Sequence, residues 1–230
     1  MRNVLIDEND DESIIPEDSG NLKMAVGATN TRKKMAYSRK VFAMLSAVFL
    51  VYTIGNMLLF ITPGVREFVQ QYRLIYIFLP LPIVSRILIS FVERLRHPPS
   101  LLFVFPVFLL HLLAIFLSVT CFSLNFDTEL VYFSCFVICA NFFQLVLYTF
   151  QNLYYFSPLT MFLFLIVTSA SNSFFLQITL SIFDFPLLEI VAISVLVTMY
   201  IHTNIQHFMA VFSSKDWPFA TVHVFTRIPL

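Results

Sequence analysis

Apolar residues in this chain come in long, almost unbroken runs rather than in the 3.6-residue stripes of helices that bury one face. The run at 187–206, LLEIVAISVLVTMYIHTNIQ, is the plainest, turning polar at His202, Thr203 and Asn204. Twenty residues at ~1.5 Å each make a helix of ~30 Å, about the hydrocarbon thickness of a bilayer. Similar runs at 41–62, 74–92, 100–124, 130–150 and 158–180 predict five further spans. Pro63 and Gly64 close the first, and Pro80 and Pro82 predict a kink in the second. Arg66, Glu67 and Arg73 are expected in a short loop between them. The fifth run carries a polar patch, Thr168, Ser169, Ser171, Asn172 and Ser173, suited to close contact between helices. Residues 217–230 reach only ~21 Å as a helix, so a seventh span is expected to be short.

Composition agrees with a membrane protein. Of 230 residues, 58% are hydrophobic and 12% charged, with 28 Phe, against a usual charged content of ~25% in soluble domains. Charge is sorted along the chain: seven of the 14 acidic residues lie in the first 18 positions. Five of the 14 basic ones lie between Arg32 and Lys40. Residues 1–36 therefore read as a disordered tail, acidic and then basic, and 37–230 as a multi-pass transmembrane domain. The basic cluster before the first span keeps the amino terminus in the cytosol. It also offers contact with anionic lipid, and nothing resembling a nucleic-acid surface accompanies it.

Cys121, Cys135 and Cys139 lie in or beside apolar runs. Cys135 and Cys139 share a helix face, but no His or carboxylate in the same turn completes a metal site, so they read as packing residues. With 4 glycines in the chain, a phosphate-cradling loop has little material. No nucleophile elbow, His-Glu zinc motif or intramembrane acid pair appears, so no enzyme, cofactor or metal is expected.

Five patches in order carry a resemblance: SRKVFAMLSAVFLVYT at 38–53, HPPSLL before the third span, LYTFQN at 147–152, HTNIQ at 202–206 and PFATVHVFTRI at 218–228. Together they resemble the transmembrane Bax inhibitor motif family, in particular its Lifeguard branch, over residues 37–230. The resemblance implies an all-α membrane protein, a Bax-inhibitor-like bundle of six full helices and a short seventh, in the endoplasmic reticulum, Golgi or plasma membrane. It further implies a role in calcium homeostasis and negative regulation of apoptosis.

In that family an acidic pair on the last two helices is taken to gate a calcium leak, and here the pattern departs. The positions of the family's Asp-Thr-Gln hold His202, Thr203 and Asn204, and its last acid falls at Arg227. The acid of the third helix falls at His111, and Arg86 is a further deep cation. Ca²⁺ collects ~6 to 8 oxygen ligands, several of them carboxylates, and Glu189 near one end of the sixth span is the nearest acid. Calcium conduction is therefore not expected, and lipid or other membrane proteins are the expected partners. The alternative is a pH-gated calcium leak in which His202, titrating near ~6.5 in water, replaces the acid. Beside these roles stand plainer ones: Arg86 reaching the headgroups by its long stem or meeting an ordinary amide partner, His111 hydrogen-bonded to a neighbouring helix, and His202 hydrogen-bonded to hydroxyls or amides.

Overall fold

The computed structural model describes residues 31–95, 101–126, 129–151, 157–180 and 186–211, together with 221 and 224. Those residues form helices and short connections, with no strand among them. In chain order they are α1 (Thr31–Ile61), α2 (Val65–Gln71), α3 (Ile75–Phe78), α4 (Leu81–Leu95), α5 (Leu101–Asn125), α6 (Leu130–Tyr148), α7 (Pro158–Leu180) and α8 (Leu187–Val211), and a single 3-10 turn, Thr149–Gln151, closes α6. Among the described residues α1, α6 with its turn, α7 and α8 are long and apolar enough to cross a membrane. α2 with Ile75–Phe91 makes a fifth, bent by 77°. The described residues form an all-α bundle with four to five such helices.

The bundle is built around α1 and α6, which pack along one another more extensively than any other pair, while α8 packs on both α6 and α7. α4 pairs with α5, and α5 touches α1 and α6. Large aliphatic side chains such as Val51, Leu58 and Leu196 face outward. Aromatics fill the seam: Phe142 of α6 lies between Phe42 and Phe49 of α1, at centroid distances of 6.0 and 5.7 Å. Lipid solvates apolar side chains as well as another helix does, so shape and polar contacts decide which face turns inward. The residues turned inward on α7 and α8 include Ser169, Ser173, Ser194 and Thr198, all with no exposed surface.

Three expectations need correction. The tail does not run to residue 36, because α1 starts at Thr31. TRKKMA contains good helix formers and neither Gly nor Pro, and the buried Met35 fastens this turn to the bundle. Residues 1–30 lie outside the described set.

The expected loop holding Arg66, Glu67 and Arg73 is instead mostly helix α2. Gly64, at φ 82°, takes the left-handed conformation that turns the chain out of α1. α2 then lies along α5, with Val69 buried and the Gln70 side-chain amide donating to the Leu124 carbonyl at 3.2 Å.

The expected kink between Pro80 and Pro82 is a short break between α3 and α4, since Pro80 has no N–H to continue the ladder. Pro82 sits in the first turn of α4, where no N–H is needed. The sharp bend comes earlier, between α2 and α3, where Arg73 adopts φ 48°.

Candidate functional site

The six candidate polar positions do not converge on one site. His202 points from α8 toward α1, fully buried, its ring stacked on Phe42 with centroids 6.0 Å apart and planes 22° apart. Gln206, one turn on, approaches its Nε2 to 2.9 Å through the side-chain nitrogen. With that amide donating, the ring's own hydrogen sits on Nδ1, which has no partner. Thr203 is exposed and bonds back to the Tyr200 carbonyl at 2.8 Å, an ordinary intrahelical contact. Asn204 is buried on another face, with neither amide atom partnered.

His111 on α5 is buried against α4, its Nδ1 2.7 Å from the Ser85 hydroxyl. That pairing matches the plainer of its two roles. Arg227 lies outside the described residues. Arg86 is half-buried on α4 and lines a partly open cavity of about 630 Å³. The cavity walls come from α1, α4, α5, α6 and α8 together with Val224. Of the described candidates only Arg86 reaches this space.

The chemistry of the cavity is one-sided. Among the described residues its walls are Ile, Val, Leu, Phe and Tyr side chains, with Arg86 the only charge and Ser134 and Cys135 among the few heteroatoms. No Asp or Glu lines it among the described residues. Glu129 and Glu189, at the ends of α6 and α8, are exposed.

The chain matches no protein-family model, no curated protein and no solved structure.

The α7 half of one polar assembly was legible in the sequence as the patch holding Ser169 and Asn172, whereas its α6 half and a second assembly between α1 and α5 were not. Between α6 and α7, the Asn141 amide donates to the Ser169 hydroxyl at 2.7 Å. Asn172 donates to the Asn141 oxygen at 3.3 Å, and Gln144 donates to the Asn172 oxygen at 3.2 Å. The signal was available: Asn141 and Gln144 stand three apart in an apolar helix and so share a face. Between α1 and α5, Tyr52 donates to the Leu112 carbonyl at 2.6 Å and Thr120 to the Asn56 side-chain oxygen at 2.7 Å. A third pattern is a stripe on α8. Ser194, Thr198 and His202 recur every four residues, all buried, each with an unpartnered polar atom.

Proposed function

We propose that this chain is a multi-pass membrane protein of the Bax-inhibitor-like, Lifeguard type, with six crossings and a short seventh and an amino terminus in the cytosol. On this reading it sits in the endoplasmic reticulum, Golgi or plasma membrane and acts in calcium homeostasis and restraint of apoptosis without conducting calcium itself. The observation that carries the reading is the central cavity, whose only described charge is the cation Arg86. A divalent cation entering a low-dielectric space needs negative oxygen ligands, and a guanidinium repels it instead. α5, 25 residues in length, would make the additional crossing this topology requires. The protein then works through lipid or through other membrane proteins.

Calcium flux into vesicles reconstituted with the purified chain tests this. The expected result is flux no greater than that of protein-free vesicles at neutral and mildly acidic pH. A calcium leak that depends on pH and disappears in His202→Ala overturns it. Introducing His202→Asp together with Arg227→Asp is expected to create calcium permeability. Unchanged flux in that double variant counts against carboxylate loss as the cause.

One observation favours a second reading, a pH-gated leak using histidine. The stripe Ser194, Thr198 and His202 places unpartnered hydroxyls and a ring nitrogen on successive turns of α8. The same flux measurement separates the two.

A further inference from the structure

We propose that the cavity enclosed by α1, α4, α5, α6 and α8 binds a long-chain fatty acid, with the carboxylate on Arg86 and the chain along the apolar walls. The inference stands on the cavity alone and holds whether or not the chain conducts calcium.

The volume comes first. At about 630 Å³ the space falls within the ~300–1,000 Å³ of small-molecule sites. A methylene occupies about as much room as a liquid water molecule, ~30 Å³, so a chain of ~16 carbons takes roughly 500 Å³. One such chain fills most of the cavity, and the two chains of a phospholipid exceed it.

The walls exclude the simpler occupants. Ile115, Val119, Ile138 and Val197 present only hydrocarbon, and an ordered water needs two to four polar partners. A small inorganic anion would satisfy Arg86 and leave the apolar space empty. A cation is repelled.

Charge then selects the headgroup. Arg86 makes no hydrogen bond or ion pair with any described residue and is half-buried against hydrocarbon. A guanidinium in such surroundings is stabilised by an anion that can take two parallel N–H donors, and a carboxylate has that geometry. Ser134 also lines the cavity, its hydroxyl buried and without a partner. The guanidinium supplies what the head of a fatty acid lacks when it leaves water. The cavity is partly open, so the ligand has a way in.

The test is saturable binding of radiolabelled palmitate to the full chain in lipid nanodiscs, with competition by neutral palmitoyl alcohol and by dioleoyl phosphatidate. Each variant is first checked for monodisperse elution and an unchanged melting temperature. Palmitate is expected to saturate one site. A charge-assisted hydrogen bond is worth enough that Arg86→Gln should weaken binding at least about tenfold, and palmitoyl alcohol should compete at least about tenfold less well than palmitate. Arg86→Lys should recover part of the affinity, and Val197→Trp, which fills the cavity, should remove it. Non-saturable uptake, or Arg86→Gln binding like the unaltered chain, overturns the proposal. So does equal competition by palmitoyl alcohol, which reads the charge preference on the unaltered chain and needs no variant to fold. Competition by phosphatidate as strong as by palmitate overturns the single-chain occupant.

Discussion

Arg39, near the start of α1, holds the end of α6 through Thr149. Its Nη2 donates to the Thr149 carbonyl at 2.7 Å and its Nε to the Thr149 hydroxyl at 3.2 Å, while the guanidinium lies 4.1 Å from the centre of the Phe150 ring. The end of a helix leaves carbonyls unpaired and carries partial negative charge, so a cation there is stabilising. One member of the basic cluster thus fastens two helices whose sequence positions are 110 apart.

Arg39→Ala should therefore destabilise the bundle by about 1–2 kcal/mol. Arg39→Lys should recover less than half of that, because a lysine does not reproduce the two-pronged contact. Chemical unfolding of the purified chain in detergent measures both, and equal stability of the alanine variant refutes the role.

The amide network between α6 and α7 yields a second prediction. Asn172→Leu leaves the Gln144 side chain without its cross-helix partner in an apolar setting and takes one of two from Asn141, which keeps Ser169. Interhelical hydrogen bonds of this kind are worth about 0.6 kcal/mol on average and at most about 1.7, so the loss should fall in that range. Asn172→Gln, which keeps the amide, should lose less. Thermal unfolding in matched detergent decides, and a leucine variant at least as stable as the parent would remove the network from the account of packing.

Among the described residues His202 is held by ring stacking and one amide, not by a charge. His202→Phe keeps the stack on Phe42, removes the unpartnered Nδ1 and loses only the Gln206 contact. Stability should stay within about 1 kcal/mol of the parent, whereas His202→Asp adds a buried carboxylate with no described cation beside it and should cost more. Melting temperatures test this, and the phenylalanine variant is also the folding control for any flux effect of His202→Ala.

Much of the fold was legible because membrane helices announce themselves by length. The runs at 130–150 and 158–180 lie within two residues of the ends of α6 with its turn and of α7. The polar patch on the fifth run does face a neighbour, through Ser169 and Asn172. Length, however, says nothing about direction. These helices are apolar nearly all round, so no stripe in the sequence marks which side of α8 carries His202 and which carries Thr203. α2 was missed because seven residues with an arginine and a glutamate look like a loop until Val69 and Gln70 are seen against α5. The candidate site failed to assemble for a related reason. Arg86, His111 and His202 were grouped by depth along their helices, whereas each is oriented by a different neighbour: the cavity, Ser85 and Phe42.

The turn between α2 and α3 gives another test. Arg73 sits at φ 48°, where a side chain other than glycine is strained by roughly 1–2 kcal/mol. Arg73→Gly should be tolerated or slightly stabilising, and Arg73→Ile should be less stable than Arg73→Gly by about 1 kcal/mol or more, since a branched Cβ worsens the clash. Unfolding of the two variants side by side checks it, and equal stabilities would show that the bend does not need this backbone conformation.

At Gly55 a side chain of α5 comes close to the backbone of α1. A Cβ built there would lie 2.7 and 2.8 Å from ring atoms of Phe116. On either side the same two stripes are bonded, Tyr52 to the Leu112 carbonyl and Asn56 to Thr120, so the helices have little freedom to move apart. Two effects of Gly55→Ala therefore oppose each other. Alanine is the better helix former by about 1 kcal/mol, but the Phe116 ring, packed on Tyr52 with centroids 5.5 Å apart, would have to shift, and overpacking costs about 1–3 kcal/mol. The clash should win, giving a net loss of up to about 2 kcal/mol. In a Phe116→Leu background the obstructing ring is gone, and only the helix-propensity gain remains. There Gly55→Ala should stabilise by up to about 1 kcal/mol. The sign reversal between the two backgrounds, measured as a double-mutant cycle in detergent, is the decisive reading. If Gly55→Ala has the same effect with and without the Phe116 ring, the close approach of that ring is not what requires glycine.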